Sequence, residues 1–117
     1  MAFALFTRVP ELDLARYDRM MYELDLDVNP PAGAILHIAS ESAGGINVCE
    51  LWQTREAAES FVERRLREAV SALGVKEPLS YRLEPLHNLF APDMDMIGRI
   101  GNSSLPVGSV QTMARAS

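Results

Sequence analysis

Residues 46–61, INVCELWQTREAAESF, change period partway along, from a short apolar run to helical spacing. Val48, Cys49, Leu51 and Trp52 form the most apolar strand-like stretch of the chain, yet Glu50 sits at its centre. A carboxylate there is either a paired structural charge or part of a site, because an unpaired buried charge is too costly to keep. Beyond the strand, Thr54 is placed to cap a helix and Glu56 falls in its first turn. Ala58, Phe61, Val62, Leu66, Ala69, Val70 and Leu73 continue as one apolar stripe, and Gly74 is a suitable residue just past the end. Glu63 and Arg67 make a favourable pair on the outer side of this helix.

The flanking segments complete the pattern. AFALFTRV (2–9), ended by Pro10, suits a buried strand. Asp13 is placed to cap a helix whose apolar positions are Leu14, Tyr17, Met21 and Leu24, with charged residues between them. DVNPPAG (27–33) stops it, since paired prolines cannot continue a helix. AILHIAS (34–40) is a second strand, separated from GINVCELWQ (45–53) by the turn-forming ESAGG. LSYRLEPLHNLF (79–90) is the fourth strand, and Pro85 argues for a sheet edge. The order is β-α-β-β-α-β, a split βαβ arrangement, which predicts an α+β fold with both helices on one face of a four-stranded antiparallel sheet.

Neither central strand has the polar face expected of a sheet with one side in water. Ala34, Leu36 and Ile38 oppose Ile35 and Ala39, while Ile46, Val48 and Trp52 oppose Cys49 and Leu51. Two helices cover one side only, so the second apolar face predicts a partner, most simply another copy of the chain. Residues 1–90 form the predicted domain. Residues 91–117 change to a composition rich in Gly, Ser, Pro and Met. They read as an extension, partly mobile or packed on the partner, in which MDMIGRI could add a short strand.

Composition narrows the function classes. A chain of 117 residues is one domain by length, and its net charge of −5 gives no electrostatic footprint for nucleic acid or anionic membrane. No apolar run reaches the roughly 18 residues of a membrane span, and MAFALF lacks a signal peptide's basic start, so the expectation is a cytoplasmic protein. The single cysteine, Cys49, rules out an internal disulfide and reads as a small buried filler. No phosphate loop, dinucleotide fingerprint or nucleophile elbow is present.

The third-strand tryptophan followed by a capped helix, LWQTREAAESFVERRL, is similar to the segment found in antibiotic-biosynthesis-monooxygenase-like proteins. Over residues 2–90 the chain resembles that group, whose ferredoxin-like protomers pack sheet against sheet into a dimeric α/β barrel. The resemblance implies a homodimer and activities such as cofactor-independent oxygenation or cyclisation of aromatic polyketides. It also embraces haem degraders, which place an asparagine on the first strand and a tryptophan and an iron-ligating histidine on the second helix. The matching positions here are Thr7, Phe61 and Ser71, so haem ligation of that kind is not expected.

A two-residue turn Ala43-Gly44, or a four-residue loop 42–45, sets paired positions of the hairpin to sum to 87. His37 then faces Glu50, Ala39 faces Val48 and Ile35 faces Trp52. Directly opposed side chains lie about 4.5–5.5 Å apart at Cβ. A three-residue loop would instead send His37 and Glu50 to opposite faces. If they meet, either they satisfy one another structurally, or Glu50 orients His37 as a base toward a bound phenol or β-diketone. His87, near the end of the predicted fourth strand, would lie about three strand spacings, roughly 14 Å, from His37, so the two cannot share a metal. The expected catalytic pair is His37 and Glu50, with Tyr17, Trp52, Tyr81 and His87 as substrate-binding residues and neither metal nor cofactor. The rival reading is a non-catalytic dimer that binds an apolar small molecule or supports a partner protein.

Overall fold

In the computed structural model, which describes residues 1–26, 28–76 and 78–100, the chain folds in the order β1 (Phe3–Pro10), α1 (Leu14–Leu24), β2 (Ala34–Ser42), β3 (Gly45–Trp52), α2 (Arg55–Phe61), a π-helical turn (Val62–Leu66), α3 (Arg67–Ala72), β4 (Ser80–Pro85) and α4 (Met94–Ile100). The four strands form one antiparallel sheet in the order β2-β3-β1-β4. This is the ferredoxin-like α+β arrangement, with β2 and β4 at the edges.

Local chemistry explains the boundaries. The Asp13 side chain accepts from the backbone N–H of Arg16, and Thr54 accepts from that of Ala57, satisfying donors that helix starts leave free. The β2–β3 turn is the two-residue loop Ala43-Gly44 with φ of 45° and 75°, the left-handed backbone of a type I′ hairpin. Arg8 fastens it from β1: its guanidinium donates to Asn47 Oδ1 and to the carbonyls of Ser42 and Ala43. Gly33 lies at φ 87°, and a Cβ there would stand 2.9 Å from that of Ala57, so the chain enters β2 only with glycine at this point.

Leu5, Val9, Ile46 and Trp52 of the sheet pack against Met20, Met21, Phe61, Val62, Leu66 and Val70 of the helices. The π turn continues the second helix without a break and keeps Phe61, Val62, Leu66 and Val70 all in the core. Four expectations are corrected. Leu14 is exposed, and Met20 takes its place in the core beside Met21. Ile35 does not face Trp52: the β2–β3 register slips between Ala34 and Leu36, so Ala34 pairs with Trp52 and Ile35 is the extra residue of the irregularity. β4 ends at Pro85, and after one further bond, from Leu86 N–H to the carbonyl of Ala2, the chain leaves the sheet. MDMIGRI is the helix α4, started by the Asp93 carboxylate accepting from Met96 N–H, and not a strand. Of the extension, only residues up to 100 lie within the described part.

The face of the sheet away from the helices carries Leu36, Ile38, Cys49 and Phe6, with Arg82 stacked over the Phe6 ring. Ile38 is 55% exposed.

Candidate active site

Strand parity assembles the site. His37 pairs directly with Glu50, as the Ala43-Gly44 turn requires, and Trp52 stands two residues from Glu50 on the same face. On the neighbouring helix, Tyr17 is turned toward the sheet. The Tyr17 hydroxyl lies 2.7 Å from His37 Nε2, and His37 Nδ1 lies 2.6 Å from Glu50 Oε2. Trp52 Nε1–H donates to Glu50 Oε1 at 3.1 Å. Four residues from three elements thus form one continuous hydrogen-bonded chain.

The directions of these bonds follow from what each group can do. An indole N–H only donates, so Oε1 of Glu50 is an acceptor. With Glu50 ionised and the ring neutral, the proton between Glu50 and His37 sits on Nδ1, and Nε2 is left to accept from the Tyr17 hydroxyl. Glu50 is buried, at 6% exposure, and its charge is matched by these two donors. Tyr17 is held protonated: burial first, and then the nearby Glu50 charge, push its phenol well above the ordinary value of 10.0. His37 is the member that reaches outward, with 26% of its side chain exposed.

A raised tyrosine pKa favours the folded state only while the phenol would stay protonated unfolded. That stability is complete below about pH 10 and drains away as the pH climbs toward the folded value. Melting followed from pH 8 to 11 is therefore expected to show a fall above pH 10 that is blunted in Tyr17→Phe.

Two spaces adjoin the chain. Between sheet and helices the packing leaves only about 20 Å³, lined by Thr7, Tyr17, His37 and Glu50 among apolar side chains. At the β2 edge a cleft of about 490 Å³ runs between α1, β2 and α4, walled by Leu14, Leu36, Ile38, Ile97 and Ile100. Tyr17, His37 and Ile46 line both, so the chain spans from the inner space to the cleft.

The other expected site residues lie elsewhere. Trp52 is 1% exposed and packs against Phe61; it lines neither space and reaches the site through its bond to Glu50. The Tyr81 hydroxyl donates to Glu63, itself paired with Arg67, at the edge of the sheet opposite β2. His87 is exposed in the segment after β4. The bond from Trp52 to Glu50 was not anticipated as a site feature. Parity put Trp52 on the side of Ile46 and Val48, which is also that of Glu50, but nothing in the sequence announces that its indole bonds the carboxylate. Burial, and to a lesser degree Glu50, raise the Cys49 thiol pKa, which suits a filler better than a nucleophile. Among the described residues no cluster of three or more His, Cys, Asp or Glu could hold a metal ion, and no helix is long and apolar enough to cross a membrane.

No protein-family model matches the chain, and no curated protein matches its sequence. Solved structures match its fold. A candidate antibiotic biosynthesis monooxygenase from Caulobacter crescentus superposes with a TM-score of 0.57 at 13% identity, over 74% of this chain and 91% of that one. The ActVA-Orf6 monooxygenase of Streptomyces coelicolor, solved with nanaomycin D, gives 0.55 at 17% identity over 78% and 92%. SnoaB, a cofactor-independent oxygenase from Streptomyces nogalater, gives 0.56 at 10% identity over 76% and 96%. The protein therefore shares the fold of antibiotic-biosynthesis-monooxygenase-like structures.

Proposed function

We propose that this protein is a small cofactor-free enzyme, of the monooxygenase or cyclase type, that takes a proton from an aromatic or polyketide-like molecule. The observation that carries the reading is the short-bonded Tyr17–His37–Glu50 chain that ends at an apolar cleft. His37 is the base and Glu50 holds it in the tautomer that leaves Nε2 free to accept. Because Tyr17 resists ionisation, a free phenolate is not the base. Instead, Tyr17 takes the substrate proton as it passes its own to Nε2, and the imidazolium so formed is stabilised by Glu50.

Removal of the proton leaves an electron-rich enolate or phenolate. A cyclase closes it on an internal carbonyl. An oxygenase gives it to dioxygen, and an activated methylene then becomes a carbonyl with one oxygen atom retained and the other released as water. That balance needs no outside reductant. Dioxygen chemistry is consistent with the monooxygenase and the cofactor-independent oxygenase that share this fold.

Anthrone, a flat ketone with an acidic methylene, is a suitable probe. Oxygen uptake is expected to match anthrone consumed one to one and to fall by about 10²-fold or more in His37→Ala. Uptake that survives unchanged in that variant removes His37 from the chemistry. A second reading, a binding or accessory protein without catalysis, is favoured by the tight packing between sheet and helices. It predicts anthrone binding with no oxygen uptake above buffer.

The reading includes a homodimer formed through the sheet face away from the two helices, where Phe6 and Cys49 offer apolar surface beside the Leu36 and Ile38 walls of the cleft. Light scattering at micromolar concentration is expected to give twice the 12.9 kDa chain mass. A folded monomer under those conditions would count against it.

A further inference from the structure

The cleft of about 490 Å³ at the β2 edge is large enough to hold a small organic molecule. Its walls are largely apolar, and Tyr17 and His37 stand where it adjoins the inner space. The charged part of its lining has one sign. Asp18 of α1 and Glu41 of β2 line the cleft, and no arginine or lysine does. Both residues are exposed, and among the described residues neither makes an ion pair.

The bordering elements have no cation to spare. β2 contains neither lysine nor arginine. On α1, Arg16 is held by Asp13 and Arg19 by Glu23, while on α4 Arg99 is held by Asp95. The field in the cleft is therefore negative, and Glu50 adds to it from behind His37. Asp18 acts on the site itself: burial and Glu50 raise the Tyr17 phenol most, and Asp18 adds to the rise. Glu41 lies on the same side of β2 as His37 and four residues further on, roughly 13 Å along the strand.

A carboxylate carried into this cleft loses part of its hydration and finds no cation in return. An ammonium group finds opposite charge, and an uncharged group is indifferent to both. Proton removal sharpens the contrast. The imidazolium formed on His37 balances the one negative charge left on the ring, but a ligand that is already an acid brings a second that nothing balances.

We infer that the His37 cleft selects by charge, taking aromatic rings that are uncharged or carry an ammonium group and turning away those that carry a carboxylate, with Asp18 and Glu41 as the residues that decide. The choice of aromatic rings rests on the proposed function, whereas the sign of the selection rests on the lining of the cleft.

Three probes that share one ring system test it: 2-naphthylmethanol, 2-naphthylmethylamine, which is an ammonium ion at neutral pH, and 2-naphthoate. Binding is followed on the His37 ring signals by NMR, so that occupancy of this cleft is what is counted. At low salt 2-naphthoate is expected to bind more weakly than the alcohol by about fivefold or more. The paired substitution Asp18→Asn with Glu41→Gln keeps the shape and removes both charges. It should strengthen 2-naphthoate and weaken the ammonium ion, each by about fivefold, and leave the alcohol unchanged. High salt should bring the three wild-type affinities together in the same way. Naphthoate bound as tightly as the alcohol, or a paired variant that leaves all three probes unmoved or moves them alike, overturns the selection and leaves the aromatic site standing. If none of the three perturbs His37, the aromatic site itself fails and the selection falls with it.

Discussion

Glu50→Gln is expected to lower turnover by about 10²–10⁴-fold, the contribution of a correctly positioned acid-base group. The change keeps the shape and removes the charge. Trp52 Nε1–H can still donate to the amide oxygen, which leaves the amide NH₂ facing His37 Nδ1. Two donors cannot share that bond, so the imidazole must move its proton to Nε2. There it no longer accepts from Tyr17, and the relay runs in the wrong direction. Nitrogen NMR of the imidazole should report the switch from the Nδ1–H to the Nε2–H tautomer. Stability should fall as well, by about 1–3 kcal/mol, since a buried group loses a charge-assisted partner. If His37 shows the same tautomer and titration in both proteins, Glu50 is only a structural neighbour.

Trp52→Ala is expected to cost about 3–5 kcal/mol, the largest stability loss among the substitutions considered, because it opens a cavity where the ring is almost completely enclosed. A domain of this size has a total stability of about 5–15 kcal/mol, so the variant should be partly unfolded near its working temperature. Trp52→Phe separates packing from polarity: it keeps most of the contact with Phe61 and removes the N–H that Glu50 accepts. A loss of about 1.5–3 kcal/mol is expected there, the worth of a hydrogen bond to a charged group. Denaturant midpoints for both variants check the order. Should Trp52→Phe prove neutral, the indole holds Glu50 no better than packing does.

These two residues also mark how far sequence alone could reach. The period change within residues 46–61 and the caps at Asp13 and Thr54 are local signals, and each is obeyed because it acts within a few residues of chain; the first helix ends ahead of the prolines, where Asp25 takes the left-handed cap. The pairing of His37 with Glu50 was legible for the same reason: a two-residue turn sets the register of the strands it joins, and parity does the rest. Where the chain departs from these rules, a distant neighbour is responsible or no local signal exists. The slip at Ile35 changes the pairing beyond the reach of the turn, and the ladder ends at Pro85 although the alternation runs on.

What the sequence by itself determined is the order of elements and the four-stranded sheet; of the registers it allowed, the structure chose the one in which His37 meets Glu50. What only the tertiary structure decided is the company that pair keeps. Tyr17 reaches Nε2 because α1 packs across the sheet at one particular rotation, which buries Met20 and turns Leu14 outward. Tyr81 and His87 fall outside the site because β4 is the far edge and ends early. Each of these depends on how one face packs against another, a competition among many contacts of similar energy, and no single stretch of residues encodes its outcome.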